Sequence, residues 1–179
     1  MIAQDRDSTM PVEIRLATAD EQGAAAEIAV AAFEALGALL VPEERSRLAD
    51  RVRATTRDAG TAPGSGTVFV DVADRQIVGT VVYNGPGAGQ HPLFAGDWAF
   101  FRSIGVAATH RGHGIGRLLV AACIDHARQD GAAWLGLYAA DANEAAVHLY
   151  RAMGFRQTGE APSYWGLAYR VYGLDLSAD

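Results

Sequence analysis

Three glycines fall within five positions in the stretch Arg111-Gly-His-Gly-Ile-Gly116-Arg117, with an arginine at either end. Gly112, Gly114 and Gly116 remove three side chains, so the backbone there can take positive φ or come close to a ligand. Before the turn, Asp97 to Val106 reads as a strand. After it, Ile115, Leu118, Leu119, Ala122 and His126 keep helical spacing. A helix beginning at this point would aim its unpaired N–H groups and the positive end of its dipole back into the turn, which favours an anion, and a phosphate above all. Two common phosphate loops do not fit. A dinucleotide fingerprint read from Gly112 has Arg117 where its third glycine should stand, and a Walker loop needs a lysine, which the chain lacks.

A second constellation follows. Asn143, Val147 and Tyr150 stand at i, i+4 and i+7, one face of a helix that Gly154 is placed to end. An amide near the start of that helix and a phenol two turns on suit a long, thin ligand. Core packing is the alternative role for Tyr150.

Arg111, Gly114 and Gly116 form R-x-x-G-x-G, and Asn143 to Phe155 forms N-x-x-A-x-x-x-Y-x-x-x-G-F. In this order the two motifs resemble the acetyl-CoA site of the GNAT superfamily of N-acetyltransferases. The resemblance implies a single α/β (α+β) domain over residues 11–179, preceded by a flexible tail at residues 1–10. The implied sheet is mixed, mostly antiparallel, of six to seven strands with about four helices, splayed at the cofactor site. It implies acetyl-CoA as cosubstrate, held by the backbone of Ile104, Gly105 and Val106, by the loop Arg111, Gly112, His113, Gly114, Ile115, Gly116 and Arg117, and by Asn143.

By the same resemblance a neutral primary amine attacks the thioester, a backbone N–H near Val106 receives the oxyanion, and Tyr150 protonates the leaving thiolate. An ordinary phenol at about 10 giving its proton to a thiol at about 8.5 is uphill by roughly 2 kcal/mol. Many relatives carry a glutamate on the strand before the loop, and Phe100 occupies that position here. Asp97 and His91 are the nearest candidates for a base, acting directly or through water. An amine of low pKa needs none. Asp97 and Trp98 are therefore expected on the substrate side, with Phe33, Tyr164 and Trp165 as further aromatic lining. A non-catalytic acyl-CoA-binding module and a protein or peptide N-acetyltransferase remain as alternatives on the same fold. The family's apolar C-terminal strands often pair subunits, so a homodimer is implied.

The elements that must position these groups are legible in outline. Val12 to Leu16 alternates like a strand, Asp20 is a candidate N-cap, and Ile28, Ala31, Ala32, Ala35 and Leu36 carry a helix that Gly37 would stop. Pro42 opens a more charged helix to about Asp58, whose thin apolar stripe, Leu48 and Val52, predicts an edge cover. Thr67–Ala73 and Gln76–Tyr83 read as a hairpin through Asp74-Arg75. Asn84 to Pro92 is a glycine-rich loop, Ala133 to Tyr138 a buried strand, and Trp165 to Leu176 a final strand.

With 179 residues, half of them hydrophobic, the chain can bury one core. A net charge of −6 argues against general nucleic-acid binding and suggests tolerance of a cationic acceptor. The single cysteine, Cys123, reads as a small buried hydrophobe. No His, Cys, Asp and Glu cluster has metal-ligand spacing, so no metal is expected. Neither a signal peptide nor a membrane-spanning run is seen, and the cytoplasm is the expected compartment.

Overall fold

The computed structural model describes residues 13–62, 64–88 and 91–177; the tail expected over residues 1–10 lies outside them. Apolar alternation becomes strand and 3.6-residue periodicity becomes helix. β1 (Glu13–Leu16) leads to three helices, α1 (Gln22–Ala32), α2 (Glu34–Gly37) and α3 (Pro42–Arg57). Then come β2 (Thr67–Ala73), β3 (Gln76–Asn84) and β4 (Trp98–Val106), followed by α4 (Ile115–Gln129), β5 (Trp134–Ala140), α5 (Glu144–Ala152), β6 (Arg156–Tyr164) and β7 (Leu167–Asp175). The strands make one seven-stranded sheet in the order β1-β2-β3-β4-β5-β7-β6. Every pair is antiparallel except β4 with β5.

Each face of the sheet has its own core. On one side Ile115, Leu119, Val120 and Cys123 of α4 and Tyr150 of α5 pack with Phe69, Val81 and Phe101. On the other, Ala29 of α1 and Leu48 and Val52 of α3 pack with Ala140 and Tyr169. Cys123 is wholly buried, and burial pushes its thiol well above the usual range.

Local chemistry explains where the elements depart from the spacing. The first helix breaks at Phe33, whose N–H turns to the carbonyl of Val30 at 3.0 Å, so the pattern through Leu36 is carried by two helices. Asp20 does not cap α1: it lies within a short 3-10 turn, Ala19–Glu21, that runs into the helix and is capped by Thr18. The Glu21 carboxylate accepts the Thr18 N–H at 2.8 Å and two guanidinium nitrogens of Arg15 at 2.7 Å. The β2–β3 hairpin turns through Asp74 (φ 49°) and Arg75 (φ 61°), the doubly positive pair that matches strand twist. The expected last strand starts later, at Leu167, because Trp165 (φ 52°) and Gly166 (φ 74°) form a tight turn between β6 and β7.

Candidate functional site

Gly114, at φ 81°, is the N-cap of α4 and brings no side chain to the helix end. The first helical bond runs from Leu118 N–H to the Gly114 carbonyl at 3.1 Å, leaving the N–H groups of Ile115, Gly116 and Arg117 without helical acceptors. A Cβ built on Gly112 or Gly114 would meet nothing within 4 Å, so the space over the loop is open. Arg111 folds back, its Nε donating to the Val106 carbonyl at 3.2 Å, while Arg117 stays exposed. This is a cradle of donors with positive charge around it.

The sheet opens beside that cradle. β4 pairs with β5 only from Trp98↔Trp134 to Phe100↔Gly136. Beyond Phe100, β4 bulges against β3: the register shifts between Thr80 and Val82, and Ser103 takes φ 52°. β5 continues from Leu137 to Ala140 against β7 alone. The facing edges of β4 and β5 therefore carry backbone groups with no partner across the gap, and these demand hydrogen bonds from whatever fills it.

A cavity of about 630 Å³ occupies the gap and reaches the loop. Among the residues expected to hold a cofactor, Ile104, Gly105, Val106, Arg111, Gly112, Gly114, Ile115, Gly116, Arg117 and Asn143 all line it. His113 does not. Its Nδ1 lies 3.3 Å from the His110 carbonyl, and His110 takes its place on the wall. Asn143 is the N-cap of α5 and makes no capping bond with its side chain.

Tyr150 is 4% exposed, held edge-on by Phe101 and Phe155 with ring centres 5.7 and 6.1 Å away, and it borders the cavity. Burial raises its phenol above the ordinary value. The uphill step to a thiolate is thus steeper than the unperturbed value suggests, and the ring stays protonated across the working pH range.

The far end of the cavity lies between β4, β5 and the α1–α3 layer. α3 is more than an edge cover there, because Leu48, Arg51, Val52 and Thr55 wall the space. Phe33 and Trp165 line it as well, together with Tyr138 and Tyr169, which spacing alone did not single out. Tyr164 packs behind, 5.9 Å from Tyr138 and 5.3 Å from Tyr169. Asp97 and Trp98 lie off the cavity wall. Asp97 is exposed, and Trp98 stacks on Trp134 at 5.1 Å and covers Gly173.

Charge along the cavity as a whole runs opposite to the net charge of the chain. Among the described residues, the cavity is lined by Arg51, Arg102, His110, Arg111 and Arg117 and by no Asp or Glu. A preference for cations inferred from the total charge does not survive that local arrangement. Phe100, at the position where a glutamate was sought, is 4% exposed and lies under the Arg102 guanidinium at 5.8 Å. His91 stacks on Tyr138 and lies tilted against Phe100, and burial with Arg102 and Arg51 nearby holds it below its usual value. Its Nδ1 accepts the Leu93 N–H at 3.3 Å, which in the neutral ring leaves the hydrogen on Nε2.

The model of the acetyltransferase (GNAT) family matches residues 27–155, and the chain belongs to that family. Streptothricin acetyltransferase of Streptomyces lavendulae is 35% identical over 115 residues, which cover 62% of this chain and 61% of the relative. Mycothiol acetyltransferase of Kocuria rhizophila is 38% identical over 72 residues, or 40% of this chain and 22% of the relative. The chain thus spans less than two thirds of these relatives. A Salmonella typhimurium protein solved with its cofactor acetyl-CoA shares the fold, with a TM-score of 0.66 at 22% identity, covering 94% of this chain and 95% of that one. Among the described residues no helix is long and apolar enough to cross a membrane.

Proposed function

We propose that the protein transfers the acetyl group of acetyl-CoA to a primary amine of a small molecule. The observation that carries this reading is the single cavity joining the unpaired first-turn amides of α4, the unpaired edges of β4 and β5, and Tyr150. Acetyl-CoA brings an acyl group already activated as a thioester. The amides of Ile115, Gly116 and Arg117 hold its diphosphate, helped by Arg111 and the dipole of α4. The open edge at Ile104, Gly105 and Val106 satisfies its amide arm, and Asn143 hydrogen-bonds farther along. A backbone N–H near Val106 faces the developing oxyanion.

In the transfer an N–C bond forms and the C–S bond breaks; the nitrogen gives its proton to water, the sulfur takes one from Tyr150, and the phenolate regains its proton from solvent. No carboxylate lines the cavity to serve as base. Arg51 and Arg102 make one less necessary, because positive neighbours disfavour an ammonium and so raise the fraction of free amine. Two of the relatives are named for small molecules, streptothricin and mycothiol, which supports the choice over a protein acceptor.

The test is thiol release from acetyl-CoA over a panel of amines, with Tyr150→Phe beside the parent. Loss of general acid catalysis lowers kcat about 100-fold, with the KM for acetyl-CoA within about twofold. Unchanged turnover removes the role of Tyr150, and failure to bind coenzyme A removes the function.

A further inference from the structure

Arg102 projects from β4 on the same face as Phe100, toward the α1–α3 layer, because Phe100 pairs with Asn84 and Arg102 with Val82 on alternate positions of β3. Its Nε is buried and has no hydrogen-bond partner among the described residues. Arg51 reaches the same space from α3 and is exposed at the cavity mouth. Neither makes an ion pair with a described Asp or Glu, although seven such pairs form elsewhere, at Arg15, Arg47, Arg53, Arg57 and Arg170. Each arginine affects the same neighbours, His91 and Tyr138, through its charge, so the two share one region.

Two guanidiniums converging on one apolar chamber without a counter-charge are costly, since they repel each other and Arg102 is largely withdrawn from water. An anion offsets that cost. The diphosphate cradle is at the α4 end, on the opposite face of the sheet from Arg102, so it does not serve these two residues. Planar guanidiniums match carboxylates in geometry, and the wall beside them carries Phe33, Leu36, Leu48 and Val52, with Thr55, Tyr138 and Tyr169 as its polar members.

We propose that the acceptor is an amino acid: an amine whose own carboxylate is held between Arg51 and Arg102, with an apolar side chain against α1 and α3. The inference rests on the acetyltransferase reading and adds the substrate class. It excludes polyamines and other polycations as preferred acceptors, because every charged group lining the cavity among the described residues is basic.

The experiment compares phenylalanine, leucine and methionine with their carboxamides, in which the carboxylate is neutralised at nearly constant size. Thiol release gives kcat/KM for each pair. Binding of N-acetylphenylalanine and its amide to the protein saturated with coenzyme A is measured by calorimetry. Expected is at least about a tenfold preference for the acid in one or more pairs, carried by KM. The preference collapses in Arg51→Gln and in Arg102→Met, while the KM for acetyl-CoA is retained. Equal or better turnover of the amides in all three pairs overturns the inference and leaves the transferase standing. Acid-selective binding without thiol release from any amine overturns the transferase and sustains the anion site. Binding with no acid preference, when turnover is absent, overturns both.

Discussion

Gly105 and Ala29 meet backbone to backbone: a Cβ at Gly105 would stand 3.0 Å from the Ala29 Cα and 2.9 Å from the Ile28 carbonyl oxygen. The absence of a side chain lets α1 settle directly on the part of β4 that has already left β5. Helix and strand cannot both stay in place if a methyl is added. Gly105→Ala is expected to cost about 2 kcal/mol, seen as a fall in Tm of roughly 4 to 8 °C. It also lifts α1 from the cavity wall. A Tm within one degree of the parent would show that the contact relaxes freely.

Gly116 behaves differently. It is the second residue of α4, and a Cβ there would meet Leu149 Cδ2 at 3.4 Å and Val106 Cγ2 at 3.9 Å, both ordinary contacts. Alanine also has the higher helix propensity, by about 1 kcal/mol. Gly116→Ala is therefore expected to keep or raise the Tm while it intrudes on the diphosphate cradle and raises the KM for acetyl-CoA about tenfold. A KM unchanged from the parent would place the diphosphate away from this turn.

Features encoded by neighbours in sequence could be read directly. The glycine turn before α4 and Asn143 and Tyr150 of α5 depend on spacing within one element, and all border the cavity, whereas Val147, read on the same helix face, does not; Ala146 and Leu149 line it instead. Arg102 and Arg51 are 51 positions apart in the sequence and meet only because β4 turns alternate residues toward α3. The strand from Asp97 to Val106 was legible, but not which of its residues would face α3, and the bulge at Ser103 changes the alternation beyond Arg102. Trp98 was read from its aromatic character alone, and its ring instead fills the space left by Gly136 and Gly173 on neighbouring strands. The net charge misled for the same reason. It sums over a surface, whereas the cavity samples five basic residues of it.

Tyr150 gives a pH signature. Burial raises its phenol, so it remains protonated where an exposed tyrosine would begin to ionise. The expected profile of kcat/KM rises as the acceptor amine loses its proton and then holds level to about pH 10. Tyr150→Phe lowers the plateau without moving the rise. An alkaline fall below pH 10 that disappears in the variant would show instead that the phenol titrates in the working range.

Asp71, on β2 beneath the start of α4, is 1% exposed, and neither carboxylate oxygen has a hydrogen bond of ordinary geometry among the described residues. Burial raises it from its usual value; the N–H groups of Glu13 and Val72 and the charge of His110 offset only part of this. Because the folded value lies above the unfolded one, the folded state binds the proton more tightly. The stability linked to this group is then fully present below the unfolded value, about 4, and is lost as pH rises through the folded value. Asp71→Asn keeps the shape and removes the ionisation, so it should stabilise the protein by about 1 kcal/mol at pH 7.5, and by less as the pH is lowered toward 4.5. Urea denaturation of both proteins across that range is the measurement. A variant less stable than the parent at pH 7.5, or a difference that does not change with pH, would mean that the carboxylate has a partner that keeps it charged in the fold.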